Sequence, residues 1–329
     1  MTESWKAEFC RLWMNPYATR DDVHRAFEIK NANLPKMLYR YRRPVHHSIQ
    51  ELENDSVYIS EPANQNDLFD SICTISPSEL HKALRRASFT QLVKLEAGNL
   101  TEEQIQLCAQ SEEPSEALLD LLIAGEPPEQ AAELTKLRRE MEDIAKRNEE
   151  FAAAFLRLIP HHHVRICCFM TEYNSTSMWD RYAQMHEGLC IAYDLSVLPL
   201  DDTRRMWLYP VVYRETLFDL TPYIIAHIEQ GAISPMWPIF ASVHKQSEWS
   251  NEKEWRLVEP PDAPAPPGKL IQLAKPAAVY LGARMEPDMQ RQVEEIAWRR
   301  GVPLFKMEVS HEEGRMIAKA KMGGLPSGG

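Results

Sequence analysis

The sequence predicts an α+β protein whose core is a mixed, mostly antiparallel sheet. Short segments of alternating polar and apolar residues lie towards both ends of the chain, and a mostly helical segment separates them. The strands and helices do not alternate as a regular βαβ array requires. Within the 329 residues we predict N-terminal helices at 1–35, one α+β domain at 36–310 with a helical insertion at 76–160, and a C-terminal tail at 311–329.

The first seventy or so residues predict two helices followed by two strands. Trp5 and Phe9 lie at helical spacing in the first helix. Residues 36–42 alternate apolar or aromatic with polar side chains, and residues 57–60 form a second strand-like run. The segment 61–67 is rich in turn-forming residues and predicts a loop.

The insertion predicts several helices, one of them long. Residues 101–104 fit a capping box, and Pro127 begins a helix with a heptad pattern on the order of 45 Å long. A single polar position in such a seam commonly fixes register or oligomeric state. The seam therefore predicts either a homo-oligomer or packing within the chain. Its positions are Leu134, Leu137, Met141, Ile144, Asn148, Phe151, Phe155 and Leu158.

After the insertion the chain returns to strands. We predict strands at 164–170, 189–194, 208–213, 252–258, 277–281 and 303–309, and helices at 177–186, 222–244 and 287–300.

Composition and motifs make several classes of protein unfavourable. The net charge of −11 is unfavourable for binding duplex nucleic acid, whose affinity depends on neutralising phosphates. No apolar run approaches the ~20 residues that span a bilayer, and no signal peptide is evident. The six cysteines form no C-x-x-C pair, so we expect reduced thiols of a cytoplasmic protein and no metal site. Neither a dinucleotide-binding glycine motif nor a P-loop is present.

The charged segment 252–258 is the most informative feature. Strand alternation would put Glu252, Glu254 and Arg256 on one face. Such a face suits a cleft that handles positive charge or polarises a hydroxyl group. A solvated edge strand carrying a salt bridge is the alternative.

Four groups of residues are candidates for a functional cleft. They are the arginine pair (Arg40 and Arg42), the loop group (Asn66, Asp67 and Asp70), the helix group (Trp179, Tyr182 and His186) and the charged group (Lys245, Glu252, Glu254 and Arg256). Each has a structural alternative. The arginine pair would bond the two glutamates across neighbouring strands, the loop group would only form turns, and the helix group would only pack in the core.

Taken in order, these motifs resemble a bacterial family catalogued as domain of unknown function 2971. The resemblance spans about residues 36 to 310 and implies no activity. Gln65 and Leu68 depart from it, because the family usually has an aromatic residue and a proline there. The motifs are LYRYR at 38–42, YIS at 58–60, NDLFD at 66–70, CF at 168–169, MWDRYA at 178–183, HEG at 186–188, and Lys245 with EKEWR at 252–256.

A looser resemblance is to ADP-ribosyltransferases. It rests on a basic residue on an early strand, a second strand that ends in a hydroxyl residue, and a late Glu-x-Glu strand. The resemblance implies a split sheet and NAD as the substrate. It also implies that Arg40 or Arg42 holds the phosphate or ribose, and that Ser60 supports the ribose of the nicotinamide end. Glu254 would be the catalytic carboxylate, and Glu252 would orient or deprotonate the acceptor.

The chemistry implied is loss of nicotinamide from ribose, which develops an oxocarbenium-like cation. A fixed carboxylate stabilises that charge, a guanidinium suits the diphosphate, and Tyr58 or Tyr182 would stack on nicotinamide. A toxin or phage-defence effector acting on a macromolecular or small-molecule acceptor is the expected setting.

Two other functions compete with this one. A non-catalytic interaction protein would assemble through the heptad seam at 134–158. A metal-dependent hydrolase or nuclease would use Asp67, Asp70, His186 and Glu254, although no ligand spacing in the sequence favours it.

Overall fold

The computed structural model describes residues 4–95, 100–133, 164–231, 234–260 and 267–321, together with scattered residues between 134 and 148. It confirms the predicted α+β class with mostly antiparallel pairing. Two compact units make up the chain. The first comprises Met1–Ser71, Pro160–Leu217 and Pro238–Gly329, and the second comprises Ile72–Ile159 and Phe218–Trp237.

The strands and helices are numbered in chain order. The strands are β1 (Met37–Arg42), β2 (Ser56–Ser60), β3 (Cys73–Thr74), β4 (Arg165–Phe169), β5 (Leu189–Asp194), β6 (Leu208–Pro210), β7 (Val212–Arg214), β8 (Phe218–Asp219), β9 (His244–Gln246), β10 (Trp255–Glu259), β11 (Gly268–Gln272), β12 (Ala278–Leu281), β13 (Leu304–Ser310) and β14 (Arg315–Ala320). The α-helices are α1 (Ser4–Trp13), α2 (Arg20–Ala32), α3 (His46–Glu53), α4 (Pro77–Leu95), α5 (Glu102–Ala109), α6 (Pro114–Ala124), α7 (Thr176–Tyr182), α8 (Thr203–Met206), α9 (Thr221–Gln230), α10 (Trp237–Ser242) and α11 (Pro287–Arg299).

Two five-stranded sheets form the frame of the first unit. One has the order β1-β5-β12-β13-β14, in which only β12 and β13 run parallel. The other has the order β11-β2-β4-β10-β6 and is antiparallel throughout. A bridge between Tyr39 and Met170, with both backbone hydrogen bonds formed at 2.8 and 2.7 Å, joins the two sheets where β1 meets the end of β4.

The main core of the first unit is built from one face of each sheet. Leu38 and Ile191 from the first sheet and Ile59 and Phe169 from the second belong to one cluster of buried residues. The amphipathic helix α11 contributes Val293 and its neighbours on the same face to this cluster. Burial of this apolar surface is the main force that fixes the strand ends lining the site described below.

The N-terminal helices pack against β6 and α10 within the first unit. Trp13 stacks on Tyr209 of β6 at 4.5 Å between ring centroids and meets Phe240 of α10 edge-on at 4.7 Å. The ammonium of Lys30 in α2 is buried and donates to the carbonyl oxygens of Arg205, Met206 and Leu208 at 3.0–3.1 Å. Residues 1–35 therefore share the core of the first unit.

The second unit is mainly helical. Helices α4, α5, α6 and α9 accompany the short parallel pair β3–β8. The predicted capping box at the start of α5 is confirmed: Thr101 and Gln104 bond each other's backbone N–H groups. The heptad positions between 134 and 158 lie outside the described residues.

The chain after residue 310 differs from the prediction. We expected a C-terminal tail from 311, but Arg315–Ala320 forms β14 and pairs antiparallel with β13. The segment pairs because an edge strand leaves N–H and C=O groups available for one more strand.

Gly188 allows β5 to approach β1 closely. A Cβ atom at this position would lie 2.1 Å from the carbonyl oxygen of Arg42 and 3.1 Å from the Cα of Ala183. Both neighbours are backbone atoms that cannot rotate away. We expect Gly188→Ala to lower the free energy of unfolding by about 1–3 kcal/mol, as overpacking does. Chemical denaturation measures the change.

Gly125 provides the matched control for that substitution. It has right-handed helical backbone angles, and its nearest neighbour is 3.3 Å from an added Cβ. Gly125→Ala should leave stability nearly unchanged. Equal effects of the two substitutions would contradict the close approach at Gly188.

Candidate functional site

A cavity of about 210 Å³ opens in the first unit, where strands of both sheets end. At least one member of each of the four predicted groups lines it. The predicted residues that line it are Arg40, Arg42, Tyr58, Ser60, Asn66, Tyr182, Lys245, Glu252 and Glu254.

The charged segment does not have the predicted conformation. Ser247–Glu252 forms a 3₁₀ helix, Lys253 has a left-handed backbone with φ 47°, and β10 begins only at Trp255. The interpretation as a solvated edge strand is wrong, because β10 lies between β4 and β6 and Glu252, Glu254 and Arg256 are buried.

The turn at Lys253 lets one lysine bridge two carboxylates. The ammonium of Lys245 in β9 donates to Glu252 Oε2 at 2.7 Å and to Glu254 Oε2 at 3.0 Å. All three side chains are at most 4% exposed. Two negative charges and one positive charge are thus removed from water together, which is tolerable only because they are paired.

Arg256 extends this network to the loop before the second unit. Its Nε donates to Glu254 Oε1 at 2.7 Å, and its terminal nitrogens donate to the two oxygens of Asp70 at 2.6 and 2.7 Å. Another bond from Arg256 reaches the carbonyl of Ser242 at 2.6 Å. Asp70, Arg256, Glu254, Lys245 and Glu252 therefore form a buried network of alternating charge, which we call the ion network.

The ion network fixes the protonation state of Glu254. Burial alone would raise the pKa of this carboxyl, but the neighbouring Arg256 and Lys245 outweigh burial and hold the pKa at about 2. The carboxylates of Glu254 and Glu252 likewise raise the pKa of Lys245 above its ordinary value despite burial. Glu254 is consequently ionised near neutral pH and can stabilise a cation, but it is a poor proton acceptor.

Tyr182 connects α7 to the ion network. Its hydroxyl donates to Glu252 Oε1 at 2.7 Å, and Arg181 lies 3.5 Å from the same oxygen. Burial, together with the Glu252 carboxylate, raises the pKa of Tyr182 above its ordinary value. The tyrosine is therefore a neutral hydrogen-bond donor at the cavity wall.

Arg40 is a structural residue. Its guanidinium donates to both oxygens of Glu51 at 3.2 Å, to Cys167 Sγ at 2.8 Å, and to the carbonyls of Tyr58 and Cys168 at 2.9 and 3.3 Å. These bonds use all five of its donors. The expected pairing of the arginine pair with Glu252 and Glu254 is wrong, because Glu51 in α3 is the counter-charge.

Arg42 keeps more capacity for a ligand. Its Nε lies 3.1 Å from Glu51 Oε2, its side chain is 23% exposed, and it lines the cavity. Burial and the adjacent Arg40 lower the pKa of Arg42. The buried Glu51 carboxylate thus pairs with both guanidinium groups. The sequence analysis did not identify Glu51. Its position in a short helix beside the apolar residues Ile49 and Leu52, which are buried with it, is the feature that could have indicated a buried charge.

The remaining predicted residues lie outside the cavity wall. Trp179 is fully buried in the core, and its Nε1 donates to the Tyr173 carbonyl at 2.8 Å. Asp67 Oδ1 accepts from the backbone N–H of Phe69 in a turn. His186 lines a second cavity, and Asp70 and Arg256 support the site only through the ion network.

The four proposed metal ligands are not brought together. Asp70 is held by Arg256, and His186 pairs with Asp180 at 3.0 Å. Within the part of the chain that the structure describes, no group of three or more His, Cys, Asp or Glu residues is arranged to hold a metal ion. Among the residues that the structure describes, no helix is both long enough and apolar enough to cross a membrane.

These features define an α+β protein with a buried ion network beside a polar cavity. Residues 178–257 match a protein family described as "Protein of unknown function (DUF2971)", which confirms the predicted resemblance over this segment. The matched segment includes Tyr182 and four members of the ion network. No curated protein and no solved structure matches the chain.

His244, next to Lys245 in β9, predicts a pH dependence of stability. Burial, assisted by Arg214, lowers its pKa to about 4, and its Nδ1 lies 2.6 Å from the Phe240 carbonyl. As pH falls below about 6.5, the unfolded chain binds a proton that the folded chain does not take up. We expect about 3 kcal/mol of stability to be lost between pH 6.5 and 4.

The His244→Asn variant tests this expectation. Its amide can keep the bond to Phe240, but it does not titrate. Denaturant titrations across pH 4–7 should show a flatter profile for the variant than for the wild type. The contribution of Glu254 is lost below about pH 4.5 in both proteins, so it does not affect the comparison between them. Identical profiles would contradict the assignment.

Proposed function

We propose that the protein is an NAD-consuming enzyme of the ADP-ribosyltransferase type. The observation that carries the proposal is that Arg42, Ser60 and Glu254 line one cavity. They come from β1, the end of β2 and the residue before β10, which is the order of basic, hydroxyl and carboxylate residues that the resemblance implies. The setting we propose is a toxin or phage-defence effector that modifies a macromolecular or small-molecule acceptor.

We assign the diphosphate of NAD to Arg42 and give Arg40 no ligand contact. The donors of Arg40 are all engaged, whereas Arg42 retains donors and partial exposure. A guanidinium offers a bidentate fork to phosphate oxygens. The cavity of about 210 Å³ is smaller than the ~300–1,000 Å³ of typical small-molecule sites, so we assign to it only the nicotinamide, its ribose and the adjoining diphosphate, and leave the adenosine outside.

In the proposed reaction the bond between ribose C1′ and the nicotinamide nitrogen breaks. Its electron pair leaves with nicotinamide, which becomes neutral, and the ribose ring becomes cationic. Glu254 supplies a fixed negative charge beside this cation. A lone pair of the acceptor forms the new bond to C1′. The acceptor then loses a proton, and we assign Glu252 as the carboxylate that accepts it. Tyr58 and Tyr182 are the aromatic rings available to nicotinamide.

Release of nicotinamide from NAD by the full chain tests the proposal, with water as the first acceptor. We expect Ser60→Ala and Arg42→Gln to raise KM or lower turnover. Removing the charge in Glu254→Gln should lower turnover about 100-fold or more. Glu308→Gln, which alters a half-exposed carboxylate on β13, is the matched control and should retain full activity.

Folding must be separated from catalysis, because Glu254 belongs to the ion network. Ser60 lies outside that network and, among the described residues, contacts only the Gln65 amide at 3.5 Å through its hydroxyl, so Ser60→Ala should unfold like the wild type while activity falls. The proposal fails if the wild-type chain neither binds NAD nor releases nicotinamide. It also fails if Glu254→Gln is folded and fully active.

A further inference from the structure

A second cavity, of about 340 Å³, lies in the first unit beside the end of α7. Its polar lining consists of Thr176, His186, Arg284, Ser310, His311 and Arg315. None of the described residues that line it carries a carboxylate. In a chain with a net charge of −11, this cavity is lined by two arginines and two histidines, and because Asp180 lies beside His186 and Glu313 beside Arg315, its uncompensated charge is that of Arg284. Such a wall attracts anions.

The two arginines of this wall differ in whether their charge is paired with a carboxylate. Arg315 donates to Glu313 Oε2 at 2.6 Å, so its charge is compensated. The exposed Arg284 side chain has neither an ion pair nor a hydrogen bond to any residue that the structure describes. Its backbone N–H, in contrast, is fixed by a bond to the His186 carbonyl at 2.9 Å. The main chain of Arg284 is therefore fixed, and its guanidinium group is available to bind a ligand in the cavity.

His186 lies on a strained segment of backbone. Gln184, Met185 and His186 have φ angles of 50°, 49° and 71°, three consecutive residues in the left-handed region. That region is unfavourable for residues other than glycine, at a cost of about 1–3 kcal/mol each. Strain of this kind persists where the surrounding structure enforces it and clusters at functional sites, and here it brings an imidazole to the wall of a cavity.

The His186 ring is also incompletely bonded. It is only 9% exposed, stacks on Trp179 at 6.1 Å, and directs Nε2 to Asp180 Oδ1 at 3.0 Å. Its Nδ1 is buried and has no hydrogen-bond partner among the described residues. A buried unpaired nitrogen is destabilising, so a ligand that orders this wall would offset an existing cost.

We propose that the second cavity binds an organic anion, a phosphate or carboxylate group attached to an apolar body. Arg284 and His186 would take the anionic group, with the hydroxyls of Thr176 and Ser310 as further donors. Val309 and Met316 supply the apolar part of the wall. The volume suits a small organic ligand and exceeds what an inorganic ion needs. The site is independent of the proposed reaction with NAD.

Isothermal titration of the full chain with three probes tests this proposal. Phenyl phosphate and phenylacetate present the two anionic groups on the same ring, and inorganic phosphate lacks the ring. We expect one of the aromatic anions to bind at a single site, about tenfold or more tighter than inorganic phosphate. Which aromatic anion binds more tightly identifies the anionic group.

Variants assign the binding to the second cavity. Arg284→Gln and His186→Asn should each weaken it about tenfold or more, since each removes a charge-assisted or polar contact. Asparagine tolerates the left-handed backbone at position 186. Arg291→Gln, which removes an exposed charge on α11, is the matched control and should bind like the wild type, as should Arg42→Gln in the first cavity.

Three results would overturn the proposal. The wild-type chain binds neither aromatic anion, or Arg284→Gln binds as tightly as the wild type, or Arg42→Gln abolishes binding and so assigns it to the first cavity. None of these results bears on nicotinamide release, which is measured separately.

Discussion

Arg256→Met is expected to lower the free energy of unfolding by about 3–5 kcal/mol, the cost of breaking a buried ion pair from one side. Arg256 is fully buried and bonds Glu254, both oxygens of Asp70 and the Ser242 carbonyl. Methionine preserves much of the volume but leaves two buried carboxylates without their shared guanidinium. Denaturant unfolding followed by circular dichroism measures the loss.

Two controls separate the charge from its geometry. Arg256→Lys keeps the charge but loses the bidentate fork to Asp70, so we expect an intermediate loss. Arg11→Met removes a guanidinium from an exposed pair with Glu8, where no measurable change is expected. If Arg256→Met is as stable as Arg11→Met, the ion network does not hold the loop and strand together as we infer.

Trp13→Ala is expected to cost about 3–5 kcal/mol, the range for truncating a buried tryptophan. The ring is 1% exposed and packs against Phe9, Tyr209 and Phe240 at 4.5–4.9 Å. Because those rings come from α1, β6 and α10, the substitution would weaken the packing of the N-terminal helices against β6 and α10. Thermal or denaturant unfolding and proteolysis of α1 measure the effect.

Trp13→Phe is the graded comparison for that substitution. Phenylalanine keeps an aromatic face for Tyr209 and removes an indole nitrogen that has no hydrogen-bond partner among the described residues. Trp13→Phe should therefore lower the free energy of unfolding clearly less than Trp13→Ala does. Equal losses, or no loss with alanine, would mean that α1 is not an integral part of this core.

Several strands of the site followed from local sequence. The alternation at 36–42 and 57–60 corresponds to β1 and β2, and the run at 189–194 is β5. The capping box at Thr101 also has the predicted bonds. These features depend on neighbours within a few residues, which is why a single sequence predicts them. The strand predicted at 252–258 was wrong in its first residues, because a left-handed turn at Lys253 precedes the strand.

The partners of the charged residues did not follow from the sequence. Arg256 and Asp70 are 186 positions apart, and Arg40 meets Glu51 in preference to Glu252 or Glu254. The sequence indicates charges that need compensation, but many pairings would satisfy that need. The choice depends on which strands become neighbours, and β4 separates β2 from β10.

By itself, the sequence determined the α+β class, most strand positions and the residue types that reach the cavity, because hydrophobic periodicity and turn chemistry are local. Only the tertiary structure decided that the Glu-x-Glu segment is buried, that its charges form one ion network, and that Arg42 keeps donors for a ligand while Arg40 does not. Burial depends on distant strands on either side of β10, and a buried charge must find whichever opposite charge the fold brings within hydrogen-bonding distance.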